Sequence, residues 1–336
     1  MNVLFYSPVH DPYGVGTVSR RLSAVLKKEV DLDLADANYS VEYLRFYTKI
    51  LLSKYDIIHI NIAPMIKNLS RLFLLNLTTA PVIFNIHGAF THERKLTRSG
   101  FIGRLEDVFA FDNIRTTCER ADAIVVNSKF LKGIVSRSYA VESKKIRVIP
   151  NGVYLQETKD VNRAKNSIIF IGRLEREKGI DIAIDVLQIL KEKGENVELR
   201  VVGDGSMRDY VVEKAKSLPI SYYGFVSEEK KAELLRSSHF CIIPSRFEPF
   251  GIVALEAMLS GAIVVSSDSG GLKEIIKDGE NGIIAGNTAR EMADAIYSLM
   301  HDDRAESISK NAVAHAKNYS WENIAKRYVS LYRELI

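Results

Sequence analysis

"SIIFIGRLEREKGIDIAIDVLQILKEKGENVELRVVGDG", residues 167–205, holds in one stretch the pattern that decides the fold. A β-branched run (167–172) enters a charged, glycine-closed loop. A longer segment of helical period follows, and a second β-branched run, "VELRVVG" (197–203), ends in another glycine loop. Strand, helix, strand in that order predicts a βαβ unit and therefore a parallel sheet.

The same rhythm extends outward in both directions. Downstream lie "ISYYGF" (220–225), "HFCIIPS" (239–245), "AIVVSS" (262–267) and "GIIA" (282–285). Upstream lie "VLFYS" (3–7), "DLDLA" (31–35), "DIIHI" (56–60), "PVIFNI" (81–86), "AIVVN" (123–127) and "IRVIP" (146–150). Two sheets of six strands are expected, one after the other. Between them "NGVYLQETKDVNRAKN" (151–166) is polar, opens on Asn-Gly and reads as a linker. Three helical stretches close the chain, from Ala289, Asp303 and Trp321. The expected fold class is α/β, with two parallel-sheet domains divided at this linker.

With 336 residues, 46% hydrophobic and 26% charged, the chain can bury two cores. The run "VLFYSPV" is short and without a basic leader, so it reads as a strand rather than a signal peptide. No apolar run approaches the roughly 18 residues of a membrane span. Two cysteines, Cys118 and Cys241, exclude a disulfide framework and suit a cytoplasmic compartment. The net charge of +4 is uneven: residues 1–150 carry 21 Lys/Arg against 14 Asp/Glu, concentrated in 91–104 and 128–147. No nucleic-acid motif accompanies that excess. An anionic lipid headgroup or phosphorylated acceptor fits it better, as does an ordinary solvated basic face.

Ligands of open parallel α/β sheets bind beyond the carboxyl ends of the strands. The loops at that edge carry Gly14 and Gly16, His87-Gly88, Arg173, Gly203-Asp204-Gly205, Ser245 through Gly251, and Ser269-Gly270-Gly271. If the domains face each other, one cleft collects them. "YGVGTVSRRL" (13–22) sets two glycines before a helical run, so its amides could meet a phosphate; it lacks the third glycine of GxGxxG and the Lys-Ser/Thr of a P-loop. In "GRLEREKG" (172–179), Arg173 and Lys178 suit a diphosphate, the guanidinium as a fork and the ammonium as a point charge. "EREK" by itself would be a solvated charge cluster.

"PSRFEPFGIVALEAMLSG" (244–261) places Glu248 and Glu256 eight residues apart. With Pro249 as first residue, a helix is expected over about 249–259. At about 1.5 Å per residue the two carboxylates then lie roughly 12 Å apart along the axis. That exceeds the separations of about 5–5.5 or 6.5–9.5 Å used by glycosidase acid pairs. An extended, hydroxyl-bearing ligand could reach both; two surface glutamates on an amphipathic helix are the plainer alternative.

In this order, "PNGV" (150–153), "GRLEREKG", "VVGDG", "YGFVS" (223–227), the spaced glutamate pair, "SGGLKEII" (269–276), "DGENGIIA" (278–285) and "YSWENIAKRYVSLYREL" make the chain resemble the retaining GT-B glycosyltransferases of family 4. The resemblance implies two Rossmann-like doubly wound parallel-sheet domains facing an interdomain cleft, the first comprising 1–150 with a returning helix at 318–336 and the second 151–317. It also implies a nucleoside-diphosphate sugar, UDP- or GDP-linked, held mainly by the second domain, and transfer to a saccharide or lipid-linked hydroxyl by a front-face mechanism without metal or other cofactor. It further implies that Arg173 and Lys178 hold the diphosphate, Glu256 the ribose hydroxyls and Glu248 the sugar hydroxyls. Phe250, Gly251 and Ile252 would supply backbone contacts at the helix start, and Gly16, with Gly14, would approach the phosphates. His87 would lie beside the sugar, and Phe225 and Val226 would flank the base.

"DLD" (31–33) mimics a metal-binding pair but lies in an expected early strand, and the other histidines show no ligand spacing. A dehydrogenase is disfavoured by the incomplete glycine turn and by the lack of an acidic residue closing the second strand. A phosphorylase or sugar-phosphate synthase on the same scaffold, or a catalytically silent nucleotide-sugar-binding subunit, are the alternatives. The intact set of His87, Arg173, Lys178, Glu248 and Glu256 speaks against silence. The stretch between His87 and Ser128 carries no motif that identifies the acceptor.

Overall fold

The computed structural model describes residues 1–9, 14–36, 46, 48–50, 54–61, 78–88, 101–155 and 164–336. His10, Tyr13 and His92, residues 91–100 of the basic stretch, most of the expected linker (156–163) and residues 89–100 of the acceptor-side stretch lie outside them.

The chain divides into two compact units. One comprises Met1–Gly152 with Trp321–Ile336, the other Val153–Ser320. The first holds β1 (Asn2–Ser7), α1 (Gly14–Leu26), β2 (Asp31–Asp36), β3 (Ile57–Asn61), β4 (Val82–Ile86), α2 (Phe101–Arg120), β5 (Ala123–Val126), α3 (Lys129–Tyr139) and β6 (Ile146–Val148). The second holds β7 (Ala164–Ile171), α4 (Ile180–Glu192), β8 (Glu198–Val202), α5 (Arg208–Lys214), β9 (Ile220–Gly224), α6 (Glu228–Ser237), β10 (Ser238–Ile243), α7 (Ile252–Leu259), β11 (Ile263–Ser266), α8 (Leu272–Ile275), β12 (Ile283–Ile284), α9 (Ala289–Met300) and α10 (Arg304–Ala316). The final helix, α11 (Trp321–Leu335), belongs to the first unit.

Both sheets are parallel and six-stranded, ordered β2-β1-β3-β4-β5-β6 and β12-β11-β10-β7-β8-β9. Helices cover parallel sheets on both faces, so their central strands read as unbroken apolar runs. Every residue of β3, β4 and β5 is buried. The acidic pattern of "DLD" belongs to edge strand β2, where Asp33 is held by Lys49 and accepts from the Tyr55 hydroxyl at 2.6 Å. Asp36 closes β2, one residue beyond the expected strand end; whether a helix follows it, on which the case against a dehydrogenase also turns, lies outside the described residues.

In the second unit α4 buries Ile180, Ala183, Ile184, Leu187 and Leu190, the i, i+3, i+4, i+7, i+10 positions of one face. That face shares a core with Met292, Ala293, Ile296 and Leu299 of α9. Each of the leucine, isoleucine and methionine side chains among them contributes about 1.5–3 kcal/mol on full burial. A capping box, Thr288 with Glu291, starts α9, and Ser227 caps α6.

In the first unit α11 buries Trp321, Ile324, Ala325, Tyr328, Val329, Leu331 and Tyr332. Tyr328 stacks on His59 of β3 at 5.4 Å between ring centroids, and Phe5 of β1 meets the same imidazole edge-on at 4.7 Å. A Cβ on Gly152 would stand 2.6 Å from the Trp321 ring, so the Asn-Gly expected only as a linker start is also a packing requirement. Next to it, Val153 N–H donates to Tyr319 C=O at 2.8 Å.

Candidate active site

Each sheet reverses its strand order once, between β1 and β3 and between β10 and β7. Such switch points part the outgoing loops and open a crevice at the carboxyl edge. In the second unit the two diverging loops are 172–179 after β7 and 244–251 after β10, which carry Arg173, Lys178 and Glu248.

These loops are joined. Lys178 Nζ donates to Glu248 Oε2 at 2.8 Å, and Arg246 N–H donates to Glu177 C=O at 2.8 Å. The Arg246 guanidinium grips both carboxylate oxygens of Asp181 at 2.9 and 2.8 Å. Burial would raise the Asp181 carboxyl, but the Arg246 fork outweighs it and holds it below the usual range. Glu177 lies 3.7 Å from Arg173 and 3.8 Å from Lys178 and is buried, whereas Arg173 is 54% exposed. Burial alone would pull the Lys178 ammonium down; Glu248, then Glu177, outweigh it and hold it above its ordinary value. The loop after β8 is stitched in as well, by Ser206 N–H and Oγ on the Glu175 carboxylate at 3.0 and 2.6 Å.

The helix carrying Glu256 begins at Ile252, three residues later than expected. Gly251 takes φ 96°, a left-handed conformation that favours glycine, and a Cβ there would stand 2.5 Å from Leu272 Cδ2. Pro249 thus sits in the preceding turn rather than at the first helical position, and the roughly 12 Å helical spacing from Glu248 does not apply. Phe250 is buried, and the first amides of α7, from Ile252 on, are those a helix leaves without an internal acceptor. Glu256, the one charged residue of α7, is paired with Lys231 of α6 at 3.0 Å; Lys231 also meets Glu228 at 3.0 Å. Cys241 beneath is pushed up to about 12 by burial and then by Glu256. Phe225 is 61% exposed just past β9, and Val226 packs partly against the core shared with α7.

In the first unit Gly14 and Gly16 lie inside the first turn of α1, not ahead of it as expected. One turn on, Ser19 enters a buried polar network at the carboxyl edge, bonding Ser7 Oγ at 2.5 Å. Asn61 Nδ2 donates to both hydroxyls, and His87 Nε2 lies 2.6 Å from Asn61 Oδ1. Asn85 Nδ2 reaches Asn61 Oδ1 at 2.9 Å and the Tyr328 hydroxyl at 2.7 Å. Burial pulls His87 down to about 4, which leaves its ring neutral near pH 7.

Arg173, Lys178 and Glu248 are thus brought together around Glu177, Glu256 is joined to Lys231, and His87 is tied to Asn61. Glu177, Lys231, Arg246 and Asn61 are the residues sequence reading missed. "EREK" and "EEKKAELL" look like solvated charge, and an asparagine at a strand end carries no signal. Among the described residues, no three His, Cys, Asp or Glu side chains are grouped to hold a metal ion, and no helix is long and apolar enough to cross a membrane. Within 128–147, Lys132 is bound to Ile146 C=O, Lys145 to the carbonyls of Cys118 and Glu119, and Arg147 to Glu334.

Two family descriptions match the chain: Glycosyltransferase Family 4 over residues 5–157 and Glycosyl transferases group 1 over residues 155–315. The chain belongs to this glycosyltransferase family and has its GT-B fold. It is 31% identical to an uncharacterized glycosyltransferase of Methanocaldococcus jannaschii, over 83% of this chain and 75% of the relative. It is also 31% identical to D-inositol 3-phosphate glycosyltransferase of Corynebacterium urealyticum, over 66% of this chain but 60% of the relative. Among solved structures, Anabaena HepE in complex with UDP and glucose superposes with a TM-score of 0.76 at 20% identity, each chain fully covered. Sucrose-phosphate synthase of Thermosynechococcus elongatus superposes at 0.79 with 21% identity, covering 100% of this chain and 99% of that one.

Proposed function

We propose that this glycosyltransferase moves a hexosyl unit from a UDP- or GDP-sugar to a hydroxyl of a saccharide or lipid-linked acceptor, with retention. The observation that carries this reading is the pairing of Lys178 with Glu248 at the switch point, beside Arg173 and the open start of α7. In the proposed step the anomeric carbon–phosphate oxygen bond breaks and a bond to the acceptor oxygen forms on the same face. The acceptor proton passes to the departing phosphate oxygen. Arg173, Lys178 and the amides from Phe250 to Ile252 stabilise the charge growing on the diphosphate, which lowers the barrier more than the ground state.

Glu248, its Oε2 fixed by Lys178, accepts from sugar hydroxyls, and Glu256, oriented by Lys231, accepts from the ribose. Phe225 and Val226 flank the base. By the family resemblance we assign His87 to the transferred sugar and Gly14 and Gly16 to the phosphates. The scheme calls for no divalent metal. One structural neighbour, Anabaena HepE, crystallised with UDP, with UDP and glucose, and with UDP-glucose, supports the choice of donor.

A thermal-shift panel of UDP, GDP, ADP and their sugars tests it, because a bound donor raises Tm with its affinity. A rise with one nucleotide and its sugar, followed by NMR showing the donor's anomeric configuration in the product, is expected. Binding without turnover would favour the silent subunit. Attachment to an anionic surface through the basic first unit is a separate proposal, tested by vesicle sedimentation at low salt. Within 128–147, Lys144 and Arg147 are already paired with the carboxylates of Glu142 and Glu334, which offsets part of that charge.

A further inference from the structure

The network behind His87 has a direction, which follows from atoms that can only donate or only accept. Asn61 Nδ2 donates to Ser19 Oγ at 2.8 Å and Ser7 Oγ at 3.1 Å, so Oδ1 is its accepting end. That oxygen receives Asn85 Nδ2 at 2.9 Å and lies 2.6 Å from His87 Nε2. Turning either amide over requires turning both. Reversal is opposed by the two hydroxyls: Ser19 Oγ donates to Val15 C=O at 2.6 Å and Ser7 Oγ to Asn61 C=O at 2.7 Å, so both turn lone pairs rather than protons to the Asn61 side chain.

Asn85, which donates through Nδ2 to Asn61 Oδ1 and the Tyr328 hydroxyl, then turns its oxygen toward His59, whose Nδ1 meets the Tyr332 hydroxyl at 2.6 Å.

An oxygen cannot donate, so the bond between His87 and Asn61 carries the imidazole's proton. We infer that Asn61 locks His87 as the Nε2–H tautomer, so that its Nδ1 meets the transferred sugar as a hydrogen-bond acceptor. Asn61 is thus a positioning residue, braced through Asn85 by Tyr328 of α11. The sugar half of this inference rests on the placement of His87 proposed above; the tautomer does not. One consequence concerns specificity. The donor must offer His87 a hydroxyl proton, so at that one position fluorine, which accepts but cannot donate, serves as poorly as hydrogen.

Long-range ¹H–¹⁵N NMR of histidine-labelled protein at neutral pH tests the tautomer directly, with a proton on Nε2 and none on Nδ1 expected for His87. Asn61→Asp, which keeps the accepting oxygen, retains that signature. Asn61→Leu is expected to mix the tautomers and lower kcat roughly tenfold while leaving donor KM within about twofold. A wild-type proton on Nδ1, or an unchanged tautomer in Asn61→Leu, overturns the inference. If Asn61→Leu does not fold, the wild-type spectrum still decides, and Tyr328→Phe should loosen the same tautomer. An Nε2–H His87 whose replacement by Ala leaves transfer intact would sink the sugar half alone.

Discussion

Lys178 Nζ lies 2.8 Å from Glu248 Oε2, and the two residues come from loops of adjacent strands at the point where the sheet reverses direction. The contact ties the cation proposed for the phosphate to the carboxylate proposed for the sugar. It also sets these residues apart from Arg173, which is half exposed and only loosely paired.

Removing Lys178 should therefore have two effects where removing Arg173 has one. Lys178→Ala leaves Glu177 and Glu248 without their shared cation, an expected loss of about 3–5 kcal/mol by urea unfolding. Arg173→Ala should cost under about 1 kcal/mol. Both should lower kcat by about 10²–10³ with little change in donor KM. Equal losses in affinity and turnover would count against their role on the leaving group.

Glu177 is the fixed negative neighbour of both cations. Glu177→Gln should raise the local positive potential, tighten nucleoside diphosphate binding a few-fold and slow turnover, because Arg173 and Lys178 lose the group that aims them. Calorimetric titration beside steady-state rates checks this opposition of signs.

Arg246 latches the loop proposed to hold the phosphates without being proposed to touch substrate. Arg246→Lys should behave like Arg246→Ala, since an ammonium cannot reproduce the two-toothed grip on Asp181. A roughly tenfold loss in kcat/KM for both variants is expected. Full rescue by lysine would show that charge alone suffices.

Burial holds His59 at about 3 and His87 at about 4, below the ordinary 6.5. Between those values and 6.5 the unfolded chain binds more protons than the folded one, so stability is complete above pH 6.5 and drains as pH falls toward 4. The expected slope is on the order of 1.4 kcal/mol per histidine per pH unit inside that window. Urea midpoints measured across it should show this fall, and His87→Gln should flatten part of it.

Gly251→Ala should destabilise the second unit by about 1–3 kcal/mol, from the left-handed backbone and from Leu272 in the path of the methyl. A lowered Tm with an unchanged first-unit fluorescence would locate the loss.

The alternation of β-branched runs with helical segments made both sheets legible, because a parallel strand buried on both faces leaves an unbroken apolar signature. The start of α7 was not legible: Pro249 mimics a first helical residue, and the left-handed turn at Gly251 that postpones the helix depends on Leu272 and the neighbouring loop. The motif cations could be picked out, but their partners could not. Glu177 and Lys231 sit in charge clusters whose burial is decided by tertiary packing. Asn61 shows its importance only once β1, β3, β4 and α11 are assembled around it.

Because α11 fills the core of the first unit, residues 1–152 cannot finish folding when they leave the ribosome. His59 and Asn85 wait for Tyr332 and Tyr328, which are made only after the entire uninterrupted 153–320 unit. The part synthesised first is therefore completed last.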